Sequence, residues 1–324
     1  MKEYDYHVLV CSLGMTSLQR IDVLQTLWGG YGELVRLHCE SGSVIVKHIR
    51  LPKPESHPRG WNSDLSHQRK LRSYEVELNW FKSAANQCKA KVPLAIKVDK
   101  HGQELLIVME DLHPLGFSEV VVDPQRSHLS ASLYWLANFH AQHIGDPGAG
   151  LWEEGTYWHL DTRPDELAVL SDESLKSAAE KIAQVLATAP FQTLVHGDAK
   201  LANFCFSPDG TQAAAVDFQY VGRGCAMKDV ALFMSSAVKP EQCQMMEQWV
   251  LDEYFKHLQT GLATYQPQLS AADVEAAWRP LFAIAWADFQ RFVKGWSPNH
   301  WKINTYTEGL TARALQMLKA YPEK

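Results

Sequence analysis

The stretch from Leu194 to Gln219, LVHGDAKLANFCFSPDGTQAAAVDFQ, dictates the fold of the chain around it. Pro208-Asp209-Gly210 is a turn sequence with apolar residues on both sides, so a β-hairpin is expected there. Asp198 and Asn203 precede the first strand. The run Ala213-Ala214-Ala215-Val216 leads the second strand into Asp217-Phe218-Gln219. Three oxygen-bearing side chains thus stand at the edges of one hairpin, which suits a metal ion held beside a catalytic carboxylate.

These residue types match the demands of phosphoryl transfer, where a catalyst mainly positions the acceptor and neutralises phosphate charge. Asp198 has the chemistry to accept the proton of an attacking hydroxyl. Asn203 and Asp217 offer hard oxygen ligands for Mg²⁺. Lys200, two residues past Asp198, brings a cation to the transferring phosphate. His196 is expected to hold the loop rather than act as a base, and Asp209-Gly210 simply to turn the hairpin.

H-G-D-x4-N, followed by a strand ending in D-F, resembles the catalytic and metal motifs of the aminoglycoside phosphotransferase and choline kinase branch of the protein-kinase-like fold. The N-F and D-F-Q spellings are similar to those of the ecdysteroid-kinase-like relatives. Protein kinases spell the motifs H-R-D-x4-N and D-F-G. The resemblance implies a two-lobed α+β fold. Residues 1–110 would form a nucleotide-covering lobe with a small antiparallel sheet, and residues 111–324 a larger, mainly helical lobe for catalysis and acceptor binding. It further implies ATP and Mg²⁺, with the γ-phosphate passed to a hydroxyl of a small acceptor such as an amino alcohol, amino sugar, aminoglycoside or sterol. Two other readings stay open: a protein kinase with an abbreviated activation segment, and a nucleotide-binding pseudokinase or scaffold. Asp229 follows Asp217 by only twelve positions and no A-P-E comes after it, which favours a small acceptor. Asp229 itself is expected to anchor a loop or cap a helix.

The same resemblance assigns roles upstream. Trp28-Gly29-Gly30-Tyr31-Gly32 precedes two strands, 34–39 and 44–49. Gly29, Gly30 and Gly32 would let backbone amides approach phosphate oxygens, although the loop alone reads as a plain turn. Lys47, in V-I-V-K, takes the place of the phosphate-pairing lysine of V-A-I-K. A helix over 71–81 carries an apolar face of Leu71, Tyr74, Leu78 and Phe81, and it offers Glu77 as the partner of Lys47, with Glu75 as the alternative. Strands over 92–98 and 104–109 lead to a hinge, where the backbone at Met109, Glu110 and Leu112 would meet the adenine edge. Met109 reads equally as core filler. Ser17 to Leu27 reads as a short amphipathic helix, and residues 52–70 as an exposed loop that orders on ligand binding.

Helices are expected over 130–143, 172–188, 240–259, 270–294 and 305–320. Ser270 has the type and spacing of a cap for the fourth of these, and His140 on the first reads as packed and hydrogen-bonded. Asp288 lies among the apolar residues of the 270–294 helix, with Trp286 close by. Either the two line an acidic-aromatic pocket for a cationic or hydroxylated acceptor, or Asp288 pairs with Arg279, Arg291 or Lys294 and the tryptophan is core.

Composition sets the outer bounds. With 324 residues the chain is long enough for two lobes around a sizeable core. Its 31 basic and 37 acidic residues give a net charge of −6 without a basic block, which argues against a general nucleic-acid binder. No apolar run reaches membrane-spanning length. The opening MKEYDYHVLVCSLG lacks a charged leader with a long apolar core, so no signal peptide is expected. The six cysteines are scattered with no C-x-x-C, which suits a reducing cytoplasm and argues against a zinc site.

Overall fold

The computed structural model describes residues 3–51, 64–102 and 104–321. The helix α1 (Glu3–Ser12) comes first, followed by the strands β1 (Leu18–Thr26), β2 (Gly32–Cys39) and β3 (Gly42–Arg50). Then come the long helix α2 (Asp64–Ser83) and the strands β4 (Ala95–His101) and β5 (Glu104–Glu110). The five strands form one antiparallel sheet in the order β1-β2-β3-β5-β4.

The period of two along these strands sorts their side chains between two faces. Val35, Leu37, Val44, Val46, Leu106 and Val108 pack against Tyr6, Leu9 and Val10 of α1. The alternate positions Ile45, Ile49, Leu105, Ile107 and Met109 join the main core with Tyr74, Leu78 and Phe81 of α2. Lys47 stands between Ile45 and Ile49, so alternation alone turns it toward α2.

Residues 17–27 are a strand rather than a helix. β1 pairs with β2 through two register shifts, at Leu18/Arg20 and at Val23/Gln25. Such bulges break the alternation of an edge strand, so Leu18 and Ile21 end up spaced like residues on a helix face. Residues 64–70 are also not loop. They form the first turns of α2, because no proline or glycine there stops the helix from extending back past Leu71. The rest of the expected loop, residues 52–63, lies outside the described residues.

The second half begins with α3 (Arg126–Gln142), α4 (Pro164–Ala168) and α5 (Glu173–Ala187). The short strands β6 (Thr193–Val195), β7 (Phe204–Phe206), β8 (Ala213–Ala215) and β9 (Gly222–Gly224) follow. The chain ends in α6 (Met227–Ala237), α7 (Cys243–Tyr265), α8 (Ala271–Trp278), α9 (Leu281–Trp296) and α10 (Thr305–Leu318). β7 and β8 are the expected hairpin, antiparallel and closed by Gly210 N–H donating to the Ser207 carbonyl at 2.8 Å. The single helix expected over 270–294 is two helices. Pro280 has no N–H to continue α8, and α9 restarts behind it. Ser270 caps α8, accepting from Asp273 N–H. All six cysteines are free thiols. Among the described residues no helix is long and apolar enough to cross a membrane.

One buried ion pair ties the sheet to the segment after β5. Asp111 accepts from Arg36 Nε at 2.7 Å and Nη2 at 3.1 Å, from the Ser43 hydroxyl at 2.6 Å and from His113 N–H at 3.1 Å. Burial pushes its carboxyl up, but these donors outweigh burial and hold it below the usual range. A depressed folded-state pKa stabilises the fold above the ordinary aspartate value of about 3.9, and the contribution is lost as pH falls through the folded value. Asp111→Asn should therefore lower stability at pH 7 by about 2 kcal/mol in urea titrations. The gap to wild type should close as the pH is taken below 3.9.

Candidate active site

β6 pairs with β9 and ends at Val195, which delivers His196-Gly197-Asp198 to the end of a two-stranded ribbon. Gly197 has φ of 79°, and a Cβ there would run into the Tyr220 carbonyl, so only glycine fits. The loop is held from below by Asp229 of α6. Its carboxylate accepts from His196 N–H at 2.6 Å and Gly197 N–H at 2.9 Å, and it contacts His140 Nε2 at 3.0 Å. His140 in turn meets the Tyr254 hydroxyl at 2.8 Å. His196 contacts the Val216 carbonyl through Nε2 at 3.0 Å and takes the Asp198 N–H through Nδ1 at 3.2 Å. Both of its ring nitrogens are therefore engaged by the backbone, which leaves it a strut between the loop that carries Asp198 and the strand that leads to Asp217.

Asp198 is 6% exposed. Its Oδ2 accepts from Lys200 Nζ at 2.8 Å and from Asn203 Nδ2 at 3.0 Å, while its Oδ1 is buried without a partner. A buried acceptor left open costs free energy unless a ligand completes it. Burial raises the Asp198 carboxyl above its ordinary value, with Lys200 pulling the other way. Asn203 also donates to the Asp198 carbonyl at 2.7 Å. Its amide nitrogen is thus spent on Asp198, and the oxygen remains as a hard donor.

Asp217 has φ of 69°, the left-handed region that an aspartate rarely adopts. The conformation sends neighbouring side chains opposite ways. Phe218 is fully buried, stacked on Trp80 at 4.6 Å and tilted against His196 at 4.7 Å. Asp217 Oδ1 instead faces Lys47 Nζ at 3.0 Å and Gln219 Nε2 at 2.7 Å. Burial pushes the Asp217 carboxyl up, but the ammonium groups of Lys47, Lys70 and Lys200 overrule it, and the group is held far below the carboxylate range.

Lys47 Nζ lies 2.9 Å from Glu77 Oε1 and 2.7 Å from Oε2, with Glu77 1% exposed. Burial works against the Lys47 charge, yet the carboxylates of Asp217 and Glu77 raise its pKa well above the usual lysine value. Glu75, one face away, pairs with Arg72 near the surface.

The structure bonds Lys47, Glu77 and Asp217 into one set and Asp198, Lys200 and Asn203 into another, and the charges of the two sets act on each other. Gly29, Gly30 and Gly32 stand at the β1–β2 connection with φ of 72°, 75° and 134°. Gly32 is the constrained one, since a Cβ would strike the His48 carbonyl, whereas Gly30 borders open space. Met109 lies within the core, paired with Ile45 and Ala95 across the sheet. The Glu110 carboxylate holds Lys91 at 3.3 Å and Leu94 N–H at 3.1 Å, and Leu112 is buried. Asp288 and Trp286 join neither set. Asp288 binds Arg291 at 2.8 Å and the Trp158 indole at 2.9 Å, with Lys228 at 3.6 Å. Trp286 packs edge-on against Phe282 and Tyr306. Of the two readings of Asp288, the core ion pair is the one that forms.

Lys70 is a residue the spacing alone did not single out. Its Nζ donates to Gln219 Oε1 at 2.8 Å and lies 4.5 Å over the Tyr74 ring. Burial pushes it down to about 8, partly offset by Asp217. The available signal was the i, i+4 spacing of Lys70 and Tyr74, which places them on one face once the helix is extended backward.

Among the described residues no three His, Cys, Asp or Glu side chains form a metal centre. Mg²⁺ uses one or two protein oxygens together with phosphate and water rather than a full protein cage. Asn203 Oδ1, the unpartnered Asp198 Oδ1 and Asp217 are the hard donors present.

A sheet with a helix on its inner face, joined to a helical body that carries a loop-and-hairpin acid cluster, defines the protein-kinase-like fold. The model of the phosphotransferase enzyme family, APH, matches residues 35–267, and the chain belongs to that family. It is a phosphotransferase that acts on an alcohol group. No curated protein sequence matches it. Solved structures similar in fold include three phosphotransferases. The microcompartment-associated aminopropanol kinase has 13% identity and a TM-score of 0.53, over 98% of this chain and 97% of that one. Spectinomycin phosphotransferase APH(9)-Ia, solved with ADP and spectinomycin, has 10% identity and a TM-score of 0.54, over 99% and 98%. Aminoglycoside phosphotransferase APH(3'')-Id from Streptomyces rimosus has 13% identity and a TM-score of 0.50, over 90% and 99%.

Asp229 holds the loop before Asp198 through two buried N–H contacts and is itself fixed by His140, without touching the open oxygen of Asp198. Asp229→Asn should lower unfolding free energy by about 3 kcal/mol, measured by denaturant titration. A loop displaced by an ångström should also cost roughly 100-fold in kcat.

Proposed function

We propose that the protein transfers the γ-phosphate of ATP to a hydroxyl of a small molecule, with Mg²⁺ as the metal. The observation that carries this reading is the buried, unpartnered Oδ1 of Asp198 beside Asn203 and the Lys47–Asp217 pair. Residues 1–110 cover the nucleotide and residues 111–324 carry the acceptor side. The acceptor hydroxyl donates its hydrogen bond to Asp198 Oδ1. As its oxygen bonds to the γ-phosphorus, the bridging bond to ADP breaks and the proton passes to Asp198. Lys200 keeps Asp198 ionised and aimed. Lys47, fixed by Glu77, neutralises phosphate oxygens, and Gly29, Gly30 and Gly32 allow the backbone to come close. The main chain at Met109, Glu110 and Leu112 holds the adenine edge. When bound by Asn203 and Asp217, Mg²⁺ shields phosphate charge. Free thiols throughout suit a reducing cytoplasm.

The test is ADP release with Mg-ATP across amino alcohols, sugars, aminoglycosides, sterols and hydroxy acids. At least one acceptor should give turnover, and Asp198→Asn should reduce it roughly 100-fold or more while ATP affinity stays within a few-fold. Full turnover in that variant would remove Asp198 from its role. Nucleotide binding with no turnover of any acceptor would make the protein a binder rather than an enzyme.

A further inference from the structure

The segment between α9 and α10 places a lysine near the loop that carries Asp198, close enough for the two charges to interact, and the transfer chemistry leaves it unused. Lys302 Nζ donates to the Ser235 hydroxyl at 3.0 Å. It lies 5.1 Å from the Phe289 ring centre and 5.5 Å from that of Trp301. Ser235 is in the last turn of α6, and the next residue, Ser236, accepts the N–H of Leu201 in the catalytic loop at 2.9 Å. One helix end thus seats both Lys302 and the loop that carries Asp198. Burial pushes Lys302 down to about 8, and the charges it senses are Asp198 and Lys200.

Among the described residues Lys302 forms no ion pair. Three nearby carboxylates, Asp288 buried and Glu154 and Glu166 partly so, are already paired. Asp288 is held by Arg291, Glu154 by Lys228 and Glu166 by Arg163. Arg69, whose charge acts on that of Arg163, donates to the neutral Thr162 carbonyl and Ser66 hydroxyl. Lys302 is thus left as a cation with no carboxylate partner among the described residues, within reach of the Asp198 charge. A half-buried ammonium without a counter-ion is costly, and an anion that completes it gains a charge-assisted hydrogen bond in a partly dry site. A cationic acceptor placed there would meet repulsion instead.

We propose that the acceptor is a hydroxy compound that carries an anionic group, carboxylate or phosphate, and that Lys302 binds this group while Asp198 receives the hydroxyl. This rests on the kinase reading above and narrows it to a substrate class. Phe289 and Trp301 keep the ammonium in place, and the specificity arises from charge.

The test uses the full-length protein with Mg-ATP and three acceptors on one carbon skeleton: an ω-hydroxy acid, its amide and the matching amino alcohol. Chains of three to six carbons are used, and the phosphate monoester of a diol serves as a fourth arm that separates the two anions. One anionic arm should exceed the amide in kcat/KM by roughly 10- to 100-fold, the worth of one hydrogen bond to a charged group. Lys302→Gln should bring that ratio close to one, through KM of the anionic acceptor rather than kcat. Lys302→Glu should invert the order in favour of the amine. Thermal melts of both variants check folding. An amine preferred by the wild type, a ratio unchanged in Lys302→Gln, or an equal fall in kcat for every acceptor would overturn the proposal, the last by placing Lys302 on the phosphates of ATP. Turnover of sugars, sterols or aminoglycosides with none of the four arms active would also overturn it and leave the kinase reading standing. No turnover of any acceptor would remove both.

Discussion

The ammonium of Lys47 is the point on which the site depends. It bonds Glu77 on α2 and Asp217 at the end of the β7–β8 hairpin, so one buried cation joins sheet, helix and helical body. Desolvating three charges is expensive, and a buried ion cluster of this kind commonly stabilises a fold no better than well-packed apolar residues would. Its value lies in geometry. Removing any member strands charge in the interior, so the chain has one low-energy way to arrange all three. The left-handed backbone of Asp217 belongs to the same constraint. It lets Phe218 stack on Trp80 while Asp217 turns back toward Lys47.

A second set of contacts holds the other half of the site. Asp229 accepts two consecutive backbone N–H groups at the head of the catalytic loop, and His140 ties Asp229 to Tyr254. These groups are fully buried and mutually satisfied, as interior polar groups must be. The contrast with Asp198 follows from this. Every polar group that positions the loop has partners, and the carboxylate at its tip keeps one oxygen open. A rigid support with an unsatisfied tip is the electrostatic signature of a site prepared for a ligand.

Family membership defines the reaction class and leaves the acceptor to the local surface. The relatives similar in fold include an aminopropanol kinase and a spectinomycin phosphotransferase, at identities of 13% and 10%. At that distance the fold carries over, and the chemistry of the acceptor wall has to be read from its own residues. Here Lys302 has no ion-pair partner among the described residues, and the acceptor class proposed above rests on its charge rather than on ancestry.

The spacing of Asp198, Asn203 and Asp217 was legible in the sequence because it lies within a single hairpin, where turn residues and strand alternation act over short range. Alternation likewise turned Lys47 inward, and the positions of Glu75 and Glu77 on different helix faces separated a surface pair from a buried one. Other features were opaque for equally physical reasons. Bulges in β1 erased its period of two and gave it helical spacing. A proline at 280 split a run whose apolar pattern is continuous. Asp288 pairs with Arg291, a partner its own helix offered, but the further approach of Trp158 and Lys228 came from distant parts of the chain. The sequence by itself determined the family, the hairpin and the chemical types available to the site. Only the tertiary structure decided which charges meet, such as Lys47 and Asp217 across 170 positions, and which, such as Lys302, find no opposite charge among the described residues. A lysine is the same letter whether solvated, paired or buried alone, and those three states differ only in what the folded chain places around it.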